Sequence, residues 1–136
     1  MTTLYPDLEL LFVAKLKDAF QASNHPITNG VHISTKKPPP DFTPYPTKIV
    51  TIRSDGGPDL ERDIMKEEAI GINVYTLDYA EANTLALVTN ALMRSVRGDG
   101  IKLVETLLSP VRVDNPREQE EQRFMTFSVV SKATDI

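Results

Sequence analysis

The chain has 136 residues, of which 40% are hydrophobic and 25% charged, and it contains no cysteine. This length predicts one domain over residues 1–136, with a core large enough to fold without a metal or a disulfide. The absence of cysteine excludes disulfides and thiolate metal ligands, and the formal net charge of −4 argues against a general nucleic-acid-binding protein, which needs a basic face.

The beginning of the chain predicts a first helix from residue 6 to about residue 23, because apolar residues recur there at helical spacing. Pro6 suits the first turn, where its missing N–H costs nothing, and Asp7 and Glu9 favour the positive end of the helix dipole. Pro26 disfavours helical geometry at the residue before it and so predicts the end of the helix. No stretch approaches the roughly 18 consecutive apolar residues of a membrane span, and the first residues lack a basic, signal-like region.

Three strands are predicted next, over residues 30–35, 48–54 and 68–76, from their apolar and β-branched composition and their alternation. Residues 36–48 hold five of the ten prolines of the chain. Proline lacks the backbone N–H that a helix or an inner strand requires. This segment is therefore predicted to be an extended arm or a long loop.

A second helix is predicted over residues 79–96. Asp78 precedes Glu81 by three residues, a variant of the capping box that opens helices, and Gly98 marks the end. The stripe expected to pack on the sheet consists of Leu85, Val88 and Leu92.

Two last strands are predicted over residues 101–113 and 123–132. The order of elements is then α-β-β-β-α-β-β with short links. It predicts an α+β fold, in which a mostly antiparallel sheet of about five strands has two helices packed on one face.

Charged residues crowd around a double glycine in the segment RSDGGPDLERD, residues 53–63, hereafter the glycine segment. A phosphate-binding loop would need more glycines, a Lys-Ser/Thr ending and a helix immediately after. An EF-hand loop would need its acids before the glycine and no intruding arginines. We therefore predict a turn in which the glycines supply positive φ angles and the charges face solvent or a partner. The candidate partner-facing residues are Arg53, Asp55, Gly56, Gly57, Asp59, Glu61, Arg62 and Asp63.

No set of residues predicts catalysis. His25 and His32 are the only histidines, and neither stands at ligand spacing from another histidine or an acid. The serines lack a G-x-S-x-G context, and Gly98 in the RGD tripeptide is explained by the end of the second helix. The sequence thus predicts a protein that is not an enzyme and that binds no metal and no cofactor.

The order of motifs resembles that of the tail terminator proteins of long-tailed, siphovirus-type bacteriophages, especially those that infect actinobacteria. In that family a strand ending in Arg-x-Asp-Gly-Gly or a similar sequence precedes a GxNVW/Y strand and an alanine-rich helix. The corresponding stretches here are KIVTIRSDGGP (48–58), IGINVYT (70–76), EANTLALVTNALMRSV (81–96) and the final strand RFMTFSVV (123–130). The likeness covers nearly the whole chain, and residues 36–48 and the connection DNPREQEEQR match it least.

The resemblance implies a structural virion protein that forms a homo-oligomeric ring, typically a hexamer, on the end of the tail tube. Such a ring ends tube polymerisation and provides the surface for head attachment. It implies three partners: further copies of the chain, the tail tube protein and a head-completion or neck protein. The implied location is the head–tail junction of the virion, after assembly in the host cytoplasm, with DNA passing through the ring without specific binding and with no membrane involved.

Under this resemblance, the glycine segment is a subunit or tail-tube interface. Two alternatives remain open at this stage. One is another head–tail joining protein, such as a neck stopper or a completion protein. The less favoured one is a small ligand-binding or enzymatic domain.

Overall fold

The computed structural model describes residues 3–61, 64–114 and 119–135. These residues form helices α1 (Leu8–Ala22) and α2 (Tyr79–Arg94) and one turn of 3-10 helix (Pro26–Thr28). The strands are β1 (Thr3–Leu4), β2 (His32–Ser34), β3 (Ile49–Ser54), β4 (Asp59–Glu61), β5 (Met65–Thr76), β6 (Ile101–Val113), β7 (Glu121–Lys132) and β8 (Thr134–Asp135).

The main sheet has the strand order β2-β3-β5-β7-β6, with β4 paired to β5 beside this path. The pairs β3–β5, β5–β7 and β6–β7 are antiparallel, whereas β2 and β3 are parallel. The sheet is therefore mixed, and the prediction of a mostly antiparallel sheet was wrong in this respect. The long proline-rich stretch between β2 and β3 permits this pairing, because a parallel return needs a connection of about a dozen residues or more.

One face of the sheet carries the core. The register aligns Val50 with Val74, Ile52 with Ile72, and Ile70 with Phe127, so that these alternate residues share one face. All of them are fully buried. Residues of both helices belong to the same core cluster: Leu8, Phe12, Leu16 and Phe20 from α1, and Leu85, Ala86 and Met93 from α2.

Both helices begin at an aspartate cap. The carboxylate of Asp7 accepts a hydrogen bond from the N–H of Leu10 (3.2 Å), and that of Asp78 accepts one from Glu81 (3.0 Å). Each cap satisfies a backbone donor that has no partner within the helix. The prediction of Asp78 as the start of the second helix is confirmed, although the helix ends at Arg94, before the predicted residue 96.

Candidate assembly interface

In the glycine segment, residues 55–58 connect β3 to β4 and run alongside β5. The N–H of Asp55 donates to the carbonyl of Ala69 (2.8 Å), and the N–H of Ala69 donates to the carbonyl of Gly56 (2.9 Å). Pairing with β5 resumes in β4. Gly56 has the positive φ (+73°) that the sequence predicted. The double glycine therefore lies at a bend in the chain segment that pairs with β5. The sequence had predicted a turn at this position.

The structure brings two of the predicted interface charges together. The Nε of Arg53 lies 2.9 Å from Oδ1 of Asp55, and both side chains are well exposed, at 63% and 41%. The backbone of Asp59 and Glu61 forms β4, while Arg62 and Asp63 lie outside the described residues. Arg53 and Asp55 are thus the candidate interface charges whose side chains the structure describes.

A partly buried polar network fixes the start of the kink. The N–H of Ser54 donates to Oε2 of Glu9 in α1 (2.8 Å), and the hydroxyl of Ser54 donates to Oε2 of Glu68 in β5 (2.7 Å). The N–H of Gly56 donates in turn to the Ser54 hydroxyl (3.2 Å). Glu68 is only 6% exposed, and Lys66 lies 3.6 Å from its other oxygen. Sequence reasoning missed this network, since no spacing rule relates residues 9, 54 and 68.

The base of the proline-rich segment 36–48, hereafter the arm, is anchored on the sheet. Nζ of Lys37 lies 2.6 Å from Oε1 of Glu120 and 4.5 Å from the centre of the Tyr75 ring. Pro38, the next residue, is buried. The base of the arm is therefore held on the domain by an ion pair and a cation–π contact.

The tip of the arm, residues 39–45, is exposed throughout. It carries two aromatic side chains, Phe42 and Tyr45, that are 44% and 42% exposed. The Phe42 ring packs edge-to-face on His32 of β2 with a centroid distance of 5.7 Å. Because β2 is the first strand of the sheet, the tip lies at that edge.

The opposite edge of the sheet also exposes apolar residues. Among the described strands, β6 pairs with β7 alone, and its register shifts between Thr106 and Leu108 and again between Leu108 and Val111. The apolar residues exposed along β6 are Leu103, Leu107, Leu108 and Val111. Strand β6 therefore presents apolar side chains along an edge of the sheet.

The two histidines have local structural roles. Nδ1 of His25 accepts the N–H of Ile27 at the start of the 3-10 helix (3.2 Å), and His32 packs on Phe42. Among the described residues, no three histidine, cysteine or acidic side chains are grouped so that they could hold a metal ion. Neither of the two described helices combines the length and apolar character that crossing a bilayer requires.

The arrangement of strands and helices can be compared with solved structures. A chain of the virion of a native gene transfer agent (GTA) particle superposes with a TM-score of 0.65, over 88% of this chain and 93% of that chain. The two chains share a fold. Their sequences are only 12% identical. No family model matches the chain, and no curated protein does so either.

Proposed function

We propose that this chain is a structural protein of a phage-type virion and acts as a tail terminator. In this role, several copies form a ring, with six as the expected number, that caps the finished tail tube at the head–tail junction. The ring stops tube polymerisation and offers a surface to a head-completion or neck protein. The observation that carries the proposal is the fold shared with a chain of a gene transfer agent virion over nearly the full length of both chains.

The distribution of exposed residues supports a ring. A cyclic ring contact is heterologous, so each subunit needs two different and complementary patches. The arm tip lies at the β2 edge of the sheet, and the exposed leucines of β6 lie at the opposite edge. A head-to-tail contact between neighbouring subunits needs two different patches on different sides of the subunit, and these two features meet that requirement. The exposed charges Arg53 and Asp55 lie at the end of β3, and we propose for them a role in subunit or tail-tube contact.

Another head–tail joining protein, such as a neck stopper or a completion protein, is the second candidate. The shared fold favours it equally, because a fold does not specify a position within a particle. The two candidates differ in what the protein does to a growing tail tube. A terminator stops elongation, whereas a neck protein leaves elongation of the free tube unchanged.

The test combines mass measurement with tube assembly. Native mass spectrometry and negative-stain electron microscopy of the purified protein should show closed rings of one subunit number. When added to the tail tube protein of the same virion during polymerisation, the protein should shorten the tubes and be seen on one end. Tubes of unchanged length that carry no cap would contradict the terminator role and favour the second candidate.

A further inference from the structure

Two arginines face each other across the last pair of strands. Arg112 of β6 and Arg123 of β7 are register partners, a placement that is unfavourable for like charges. Both lie near the same carboxylate oxygen, Oε1 of Glu121, at 3.6 Å and 3.2 Å. The only other acid paired with Arg112 in the described part of the chain is Asp114, at 3.9 Å and with a side chain that is 91% exposed. Glu121 is thus shared by both arginines, and the pairing of Arg112 with Asp114 is long and solvent-exposed.

Arg123 is built into the domain, whereas Arg112 is available to a partner. Arg123 is only 3% exposed, and its Nε donates to Oδ1 of Asn83 in α2 (2.8 Å). The side chain of Arg112 is 57% exposed. The Tyr79 ring lies beside both guanidinium groups, at 5.0 Å from that of Arg123 and 5.5 Å from that of Arg112.

These groups line a cleft between α2 and the sheet. Its volume is about 270 Å³, and its other lining residues include Leu87 and Pro110. Pockets that hold small-molecule ligands measure roughly 300–1,000 Å³, so this cleft suits one or two side chains better than a cofactor. Leu87 is 63% exposed and supplies an apolar wall next to the arginines. The chemistry of the cleft fits an acidic residue with an aromatic neighbour.

The exposed tip of the arm has this combination. Asp41 and Phe42 are adjacent, Tyr45 follows shortly after, and all three are exposed. In its own chain the tip rests on His32 at the β2 edge of the sheet, four strand spacings from β6, or roughly 19 Å. A second copy of the chain can present its tip there.

We propose that the arm tip of one subunit docks into the α2–β6 cleft of the next. The Asp41 carboxylate pairs with Arg112 at the rim. The exposed part of the Phe42 ring, which stays in contact with His32 of its own chain, packs against Leu87 and Pro110. This contact is heterologous, so it leads to a ring or an open chain and never to a symmetric dimer. The inference rests on the proposed function in that the ring would be held by this contact.

The natural absence of cysteine allows a direct test by cross-linking. Thr43→Cys in the tip and Ser109→Cys beside the cleft are both at exposed positions and leave Asp41 and the arginines intact. The double variant, oxidised with copper-phenanthroline, should give a ladder of disulfide-linked oligomers, because the tip and β6 lie at opposite edges of the sheet within one chain. An equal mixture of the two single variants should give one dimer that contains both. The matched control is Ala14→Cys with Ser109→Cys, in which the first cysteine is exposed on α1, and it should give no ladder.

A charge exchange in the double-cysteine background tests the pairing itself. Asp41→Arg or Arg112→Asp alone should reduce the yield of linked oligomers about tenfold, and the two together should restore it. A ladder as strong in the α1 control, or no rescue by the exchange, would overturn the inference. Closed wild-type rings without the specific cross-link would overturn it and leave the proposed function standing. A specific cross-link in a protein that neither closes rings nor caps tubes would leave the contact standing and contradict the proposed function.

Discussion

Gly57 packs directly against the carbonyl oxygen of Glu67 in the neighbouring strand β5. A Cβ at position 57 would overlap this oxygen and lie 3.1 Å from the Cα of Glu68. The preceding Gly56 has open space around it and is required for its φ of +73°. The two adjacent glycines are thus needed for different reasons, one for close approach and one for backbone conformation. Together they allow the chain after the Arg53–Asp55 pair to stay hydrogen-bonded to β5.

The first prediction compares these glycines. Gly57→Ala should lower the free energy of unfolding by about 3 kcal/mol, because the backbone of β5 or of the kink must move. Gly56→Ala serves as the matched control and should cost about 1–2 kcal/mol, the penalty of a left-handed residue with a side chain. Urea denaturation of both variants measures the difference. An equal or smaller loss for Gly57→Ala would contradict the close contact.

Much of the fold could be predicted from local patterns. Strand β6 has the predicted bounds, and the buried residues of α1, Leu8, Phe12, Leu16 and Phe20, follow the helical spacing seen in the sequence. The pairing direction of β2 could not be predicted, because it depends on the path of the arm, and prolines define no regular path. The predicted core-facing residues of α2, Leu85, Val88 and Leu92, were only partly correct. Leu85 is fully buried, but Val88 and Leu92 are half-buried, while Thr89 and Met93 fill the core positions.

The candidate interface was less predictable than the fold. The spacing of surface charges such as Arg53 and Asp55 along the sequence follows no periodic pattern. It therefore does not indicate which partner they face. The Arg112–Arg123 pair depends on a strand register containing irregular shifts, which no alternation pattern reveals. The amphipathic pattern of α2 also conceals the exposed Leu87, since an isolated leucine on a helix surface is common.

The second prediction separates the core and cleft positions of α2. Leu85→Ala should lower the free energy of unfolding by about 2–5 kcal/mol, since Leu85 is fully buried. The lost transfer free energy of the side chain and the cost of the cavity both contribute to this loss. Leu87→Ala removes the same atoms from a side chain that is 63% exposed, so it should change stability by less than about 0.5 kcal/mol. The midpoints of urea unfolding measure both. Equal losses for the two variants would show that α2 is rotated relative to the sheet.

The third prediction concerns a buried hydroxyl. Thr89 is fully buried in α2, and its Oγ1 has no hydrogen-bond partner among the described residues. Thr89→Val should therefore raise the free energy of unfolding by about 1 kcal/mol, because an unpaired buried hydroxyl is replaced by a methyl group of similar size. The matched control is Thr76→Val. The Thr76 hydroxyl donates to the carbonyl of Asp78 (2.7 Å), so this substitution should lower stability. A loss of stability in Thr89→Val comparable to that of the control would mean that the Thr89 hydroxyl is paired.

The last prediction concerns assembly through the glycine segment and rests on the proposed ring. Arg53→Glu should leave the fold intact, because an exposed ion pair such as Arg53–Asp55 contributes only about 0–1 kcal/mol. The new carboxylate beside Asp55 should weaken ring closure by repelling a neighbouring subunit or the tube. The effect should be larger at 0.01 M than at 0.15 M salt, where the Debye length falls from about 30 Å to about 8 Å. Circular dichroism reports the fold, and sedimentation velocity at both salt concentrations reports the fraction in rings. Lys17→Glu makes the same change of charge at an exposed position of α1 and should leave ring closure unchanged. Equal ring fractions for the two variants at low salt would show that the Arg53–Asp55 surface does not take part in assembly.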